Sequence, residues 1–358
     1  MNKRFLVRKI KQSITGFLKK TGAYRLFSPF YSGCGTILMF HRVLEPAPAG
    51  RPRLPLNKSM EVSPAYLEEI IRYCIDHGYQ FLTPGEIPGY LRDKDRQKIK
   101  FVCFTFDDGY ADVYTVAYPV FKKFNVPFTV YIATDFPDKK ILLWWYALED
   151  ILMKNERIDF SCDGITLSYE LKTPQEREKA FFDLRSRIFG MEQTALRAFL
   201  EQFCLAHKTS LQSYTDSLTM SWEQVRQLAE DPLVTVGSHT LSHMNMRFLS
   251  TESLLREIYE SKSRIEAATG KSIRHFSYPF GNNEAAGERE FEYLKASNYE
   301  TAVTTRNTHV FPAHADHLFC LPRIGIDGNN ETLAHFDLLM SGALSAFQYL
   351  FKRVITKE

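Results

Sequence analysis

The stretch FTFDDGY, Phe104 to Tyr110, constrains this chain more than any other. An apolar run from Lys100 to Phe106 stops there at two adjacent carboxylates, Asp107 and Asp108, followed by a glycine. A run that is apolar on both faces belongs in the middle of a parallel sheet, where both faces are covered. Carboxylates at its C-terminal end then fall where α/β sheets and barrels gather their ligand groups.

The rest of the chain repeats the same rhythm. Gly35 to Phe40 is expected as a buried strand, with His41 at its end. Pro64 to His77 follows as an amphipathic helix, with Ser63 or its neighbourhood as the cap and Gly78 closing it. Another short helix begins at Pro84 and Gly85, then Val113 to Phe124 reads as a helix and Pro127 to Ile132 as an apolar strand. From Phe136 to Thr219 the rhythm breaks into charged helical patterns, notably Pro174 to Phe189 and Glu192 to His207, with a small hairpin around Ile165 to Leu171. A mostly helical insertion, placed as a lid, fits that stretch. The βα pattern resumes at Trp222, with strands at Val234 to Val236, up to Tyr278 and up to Thr304. Helices are expected up to Glu230, from Thr251 to Thr269 and up to Ala296. The expected organisation is a basic amphipathic arm at 1–31, a catalytic domain at 32–330 with the insertion at 136–219, and a helical tail at 331–358.

Charge is unevenly spread. Residues 1–44 carry nine Lys or Arg and no acid, leaving 36 basic against 42 acidic residues in the remainder. The basic character therefore belongs to the arm, which argues against a nucleic-acid surface on the body. Within the arm Leu6, Ile10, Ile14, Phe17 and Leu18 recur at helical spacing among lysines, the pattern of a helix that can lie on an anionic membrane surface through residues 3–20. A helix packed on the domain or a loose basic tail would carry the same pattern. No run approaches the roughly 18–20 apolar residues that span a bilayer, and the first residues lack a signal-peptide pattern. Six cysteines without a CxxC pair read as reduced, buried thiols. A cytoplasmic protein, peripheral to the inner face of the membrane, is the expectation.

Chemistry enters with GSHTLSH, which follows the strand ending at Val236 and sets His239 and His243 four residues apart. One helical turn would bring both imidazoles to one side. Two neutral imidazoles and one carboxylate, from Asp107 or Asp108, leave an open position on a divalent ion, the pattern of a catalytic zinc site. The second carboxylate can then take a proton from water. RHFSYPFG, Arg274 to Gly281, is a third strand that stops at the same rim, where Arg274 could orient a carboxylate.

TFDDGY, HTLSH and RHFSYPFG, in that order, resemble the first three motifs of the polysaccharide deacetylases, the NodB-like carbohydrate esterases of family four. The resemblance covers about Gly35 to Gly328 with the insertion set aside. It implies a distorted (β/α) barrel, with Asp107 as general base and with Asp108, His239 and His243 as ligands of a divalent metal, usually zinc. It also implies Arg274 as the partner that holds Asp107, and the backbone N–H of Tyr278 in the oxyanion hole. The expected reaction is hydrolysis of N-acetyl groups on an amino-sugar polysaccharide or lipid-linked sugar, releasing acetate.

One family motif is missing: no Leu-x-His stands near the C-terminal end, where the chain reads LPRIGIDG with Arg323 and Asp327. ILMFHRV is similar to the Tyr-His-x-Val segment of exopolysaccharide deacetylases with permuted motif order, which makes His41 the candidate catalytic acid. His309, His314 and His317 are weaker substitutes. Trp144, Trp145 and Tyr146 could stack on sugar rings, although core packing is the better expectation. An esterase acting on another acyl group and a non-catalytic sugar-binding protein are the alternatives.

Overall fold

The computed structural model describes residues 15–45, 53–162, 164–189, 191 and 193–355. Its centre is a parallel sheet built from β1 (Gly35–Phe40), β4 (Gln80–Phe81), β5 (Phe101–Phe106), β6 (Phe128–Ile132), β9 (Val234–Ser238), β10 (His275–Ser277), β11 (Thr301–Val303) and β12 (Ile324–Gly325). The strand order is β11-β10-β9-β6-β5-β1-β12, with β4 beside the first half of β5. Leu321 N–H donates to Ala302 and Thr304 N–H donates to Leu321, so the segment entering β12 returns to β11 and closes a distorted (β/α) barrel. Two small pairs lie outside it: β2 (Arg42–Val43) with β3 (Glu61–Val62), and the antiparallel β7 (Arg157–Cys162) with β8 (Ile165–Glu170).

Strand periodicity explains what each face does. In β5, Val102, Phe104 and Phe106 pack outward with Leu38, Phe40 and Phe128 beneath the helices. The alternate residues Phe101 and Cys103 turn inward with Ile37, Tyr131 and Val303. Asp107 inherits the inward parity. Asp108 would point outward if the strand continued, but its φ of 79° breaks the alternation.

Local signals set the helices. Ser63 accepts the Tyr66 N–H ahead of Pro64–Asp76, and Gly78 ends that helix at φ 67°. Thr251–Thr269 begins on the Ser250 cap and closes at Gly270. Val113 to Phe124 differs from the expected single helix, because its first turn, Val113–Ala117, is a wide π turn before Tyr118–Phe124. The hairpin is longer than Ile165 to Leu171, since its first strand starts at Arg157.

The stretch from Trp144–Lys154 to Leu211–Leu218 has an apolar cluster of its own, including Leu148, Leu152, Phe181, Leu184, Leu200 and Phe203. Residues 15–21 are helical, with Leu18 buried and Phe17 exposed, whereas Leu6, Ile10 and Ile14 lie outside the described residues. Leu333–Met340 and Ala343–Gln348 are helices, the second packed on Ser28–Tyr31. All six cysteines are buried, and none forms a disulfide with another. Among the described residues no helix is long and apolar enough to cross a membrane.

Candidate active site

Three strand ends meet at one rim. Beyond β5 stands the Asp pair, beyond β9 the two histidines, and beyond β1 His41. Asp108 Oδ1 lies 3.3 Å from His239 Nε2 and 3.3 Å from His243 Nε2. The three ligand atoms all fall within 4.8 Å of one another.

The chain between the two histidines is not the helical turn expected from their spacing. Residues 239–245 form a loop, with Thr240 at φ 68° and His243 at φ 58°. Two left-handed non-glycine residues are unfavourable locally and persist only where neighbours impose them. The buried Glu257 does so: one carboxylate oxygen accepts the N–H groups of Leu241 (2.8 Å) and Ser242 (2.9 Å), and the other accepts the Ser242 hydroxyl (2.6 Å).

Second contacts then orient the ligand atoms. His239 Nδ1–H donates to the Ser277 carbonyl at 2.8 Å, which leaves a lone pair on Nε2 in the neutral ring. That lone pair faces a carboxylate oxygen. Asp108 Oδ1 is buried and accepts no hydrogen bond from the protein. Electron-rich atoms this close repel one another unless a cation sits among them, and the Asp-His-His set is chemically suited to zinc. The residues therefore fit a divalent ion.

Titration follows from the same arrangement. Burial opposes the charge on Asp108, but the two histidines outweigh it and hold the carboxyl well below its usual range. Burial also opposes protonation of His239, yet Asp107 and Asp108 raise its pKa overall. A proton and a divalent ion would therefore compete for the same place.

Asp107 has a different environment. Arg323 grips it with two parallel bonds, Nη1 to Oδ1 at 2.8 Å and Nη2 to Oδ2 at 2.6 Å, and Ser277 Oγ adds a third at 3.3 Å. Arg323 is fully buried and also donates to the Thr304 carbonyl and to Thr105 and Ser277. Burial raises the Asp107 pKa, but Arg323 and His239 more than offset this, and the net shift is downward.

Two expectations are corrected here. Arg274 does not hold Asp107. It stands ahead of β10, at the opposite end of that strand from the rim, and its exposed guanidinium pairs with Glu300. The backbone N–H of Tyr278 is already engaged in the sheet, donating to Val303 at 3.2 Å, so it is not available to an oxyanion. Two residues further on Phe280, at φ 61°, turns its ring to 4.9 Å from that of His243. Arg323 was legible as an anomaly: an arginine between apolar neighbours in LPRIG must be paired if it is buried. Glu257 and Ser277 carried no comparable signal.

His41 lies in the field of Asp108, Asp107, Arg323 and His239; burial lowers its pKa more than the two carboxylates raise it. His309 is elsewhere, bonded to Thr36 near the start of β1 and to the Leu339 carbonyl. His314 bonds to the Phe311 backbone. Tyr146 is core: it lies under the Arg42 guanidinium, which also covers Tyr110 and binds Asp112 at 2.8 Å. Trp145 donates to the Tyr110 hydroxyl, and with Trp144 it is half-buried against the apolar cluster of the insertion.

Comparison with known proteins identifies the family and the fold. The polysaccharide deacetylase family model matches residues 94–190 and 191–299. The Bacillus subtilis protein YxkH, whose name assigns it provisionally to the polysaccharide deacetylases, is 28% identical over 168 residues, which are 46% of this chain and 55% of YxkH. The chain thus spans about half the length of that curated relative. The Streptococcus pyogenes deacetylase PplD, solved in complex with acetate, has a TM-score of 0.55 at 18% identity, covering 85% of this chain and 97% of its own. A de-N-acetylase from Aggregatibacter actinomycetemcomitans has a TM-score of 0.51 at 17% identity, covering 85% and 99%. At such identities the two structures speak to the fold, a NodB-like (β/α) barrel.

Proposed function

The chain belongs to the polysaccharide deacetylase family, and from that premise we propose that it hydrolyses N-acetyl groups on an amino-sugar glycan with the help of a divalent metal. The observation that carries this reading is the convergence of Asp108, His239 and His243, whose ligand atoms lie within 4.8 Å around a buried carboxylate oxygen that accepts no hydrogen bond. These three residues would hold the ion, zinc for this ligand set. When bound it would act as a Lewis acid and lower the pKa of water at the site.

The remaining work falls to the chain. Asp107 is held ionised by Arg323, in one orientation, as the acceptor of the proton that the attacking water gives up. Water oxygen adds to the acetamide carbonyl carbon, and cleavage of the C–N bond then requires a proton on the departing nitrogen. His41 supplies it, because it is an imidazole in the field of both carboxylates. The products are acetate and a free amine on the sugar. Backbone N–H groups at the rim would carry the oxyanion, a role that Tyr278 cannot fill while its N–H bonds to Val303.

Acetate release from N-acetylglucosamine oligomers, before and after chelation, tests the reading. We expect release to fall to background when metal is stripped and to return with zinc. Absence of release with metal bound, or full release from demonstrably metal-free protein, would overturn it. Release confined to O-acetylated glycans would reassign the substrate to an ester.

A further inference from the structure

The segments near the two ends of the described chain carry apolar side chains in water. Six of the thirteen exposed large apolar residues among those described fall in two short stretches: Phe17, Leu26 and Phe30 near the N-terminus, and Phe347, Leu350 and Phe351 near the C-terminus. The two stretches form one surface. Phe347 lies 5.3 Å from Phe27 and 5.6 Å from Phe351, and Phe351 lies 5.9 Å from Tyr31. Singly exposed apolar residues need no explanation, but a contiguous group marks a surface that meets something.

The local backbone makes this exposure costly in a second way. Leu350 and Phe351 are consecutive non-glycine residues with φ of 50° and 64°. Bulky residues rarely adopt that conformation, and here it leaves Leu350 81% exposed.

Charge indicates the partner. Residues 15–31 and 343–355 contain Lys19, Lys20, Arg25, Lys352 and Arg353 and no acidic residue. The preceding residues 1–14 add five more Lys or Arg, again without an acid. Arg25 lies 3.7 Å from Asp337, and aromatic and aliphatic side chains interspersed in sequence with cations match the boundary of an anionic bilayer, where rings enter the headgroup region and cations meet lipid phosphates. An acidic protein partner would use the charges but leave the apolar rings without a role.

We propose that this surface, made by residues 17–30 and 347–353, docks the protein on an anionic lipid bilayer.

Co-sedimentation of the full chain with vesicles tests the proposal. Phosphatidylcholine vesicles are compared with vesicles containing about 30% phosphatidylglycerol. We expect binding about tenfold or more tighter on the anionic vesicles. The triple variant Leu26→Ser, Phe30→Ser, Leu350→Ser should lose about tenfold or more of that affinity, with unchanged thermal unfolding. Lys20→Glu with Lys352→Glu should remove the preference for anionic lipid. Acetate release from a soluble oligomer, measured in parallel, should be the same for all three proteins; its absence throughout would fault the activity and leave docking standing. No binding by the unmodified chain, or equal binding by the triple variant, overturns the proposal. So does a dimer in sedimentation velocity that the triple variant dissociates, since the patch would then be a contact between copies.

Discussion

His239 and His309 are both buried imidazoles beside the same sheet, yet they sit in opposite surroundings. At the floor of the barrel His309 is complete: Thr36 lies 2.7 Å from Nδ1, and Nε2 lies 3.1 Å from the Leu339 carbonyl, so the neutral ring uses both nitrogens. Burial accordingly lowers its pKa to about 4. At the rim His239 is incomplete, with one nitrogen on the Ser277 carbonyl and the other facing Asp108, and its pKa is raised. Burial alone therefore does not make a functional histidine. The difference is whether the protein itself supplies every partner.

The same division separates the two neighbouring aspartates. Asp107 is matched by Arg323 within the protein, whereas Oδ1 of Asp108 accepts no hydrogen bond from the protein. Asp107→Asn should break chemistry without breaking metal binding. We expect its rate of acetate release to fall by about 10²–10⁴ while one ion per chain remains, as measured by kinetics and metal analysis. Loss of the ion instead would exchange the roles of the two aspartates.

Next in size is Arg323→Met, which leaves a buried carboxylate without its partner. Unfolding free energy should drop by about 3–5 kcal/mol in a denaturant titration. A variant as stable as the unmodified chain would show that Asp107 is better solvated than its burial implies.

The floor histidine yields a smaller, pH-dependent effect. His309 has a folded pKa below its unfolded value of about 6.5, so its contribution is intact above that pH and is lost as pH falls toward 4. The loss is on the order of 3 kcal/mol by pH 4. His275, His314 and His335 are also lowered to about 4 by burial and add to the slope between pH 7 and pH 4, so His309→Gln should reduce that slope by the share of one such histidine. An unchanged slope would place the acid sensitivity in other groups. Arg274→Ala should have the smallest effect, within about 0.5 kcal/mol in stability and without change in rate, because its only charged partner among the described residues is the exposed Glu300.

What could be read from sequence follows the same boundary between local and remote causes. Strands β1 and β5, the helices Pro64–Asp76 and Thr251–Thr269 and the motif order of the Asp pair and HTLSH are local patterns, and the structure contains them at nearly the expected bounds. Arg323 and Glu257 act on loops 216 and 15 residues away in the chain, through contacts that only the closed barrel creates. Arg274 was plausible because it opens the third motif. A strand separates it from the rim, however, and the bidentate contact comes from β12's side of the barrel. The helical turn drawn from the spacing of His239 and His243 failed for a related reason. Glu257 and the left-handed residues Thr240 and His243 bring the rings together by another path.

The most direct test is a zinc titration of metal-stripped protein and of its Asp108→Asn variant, followed by calorimetry. The account predicts one site per chain in the unmodified protein, and loss of that site when Asp108 can no longer offer a charged oxygen to the two histidines. Undiminished binding by Asp108→Asn, or no site in either protein, would contradict it.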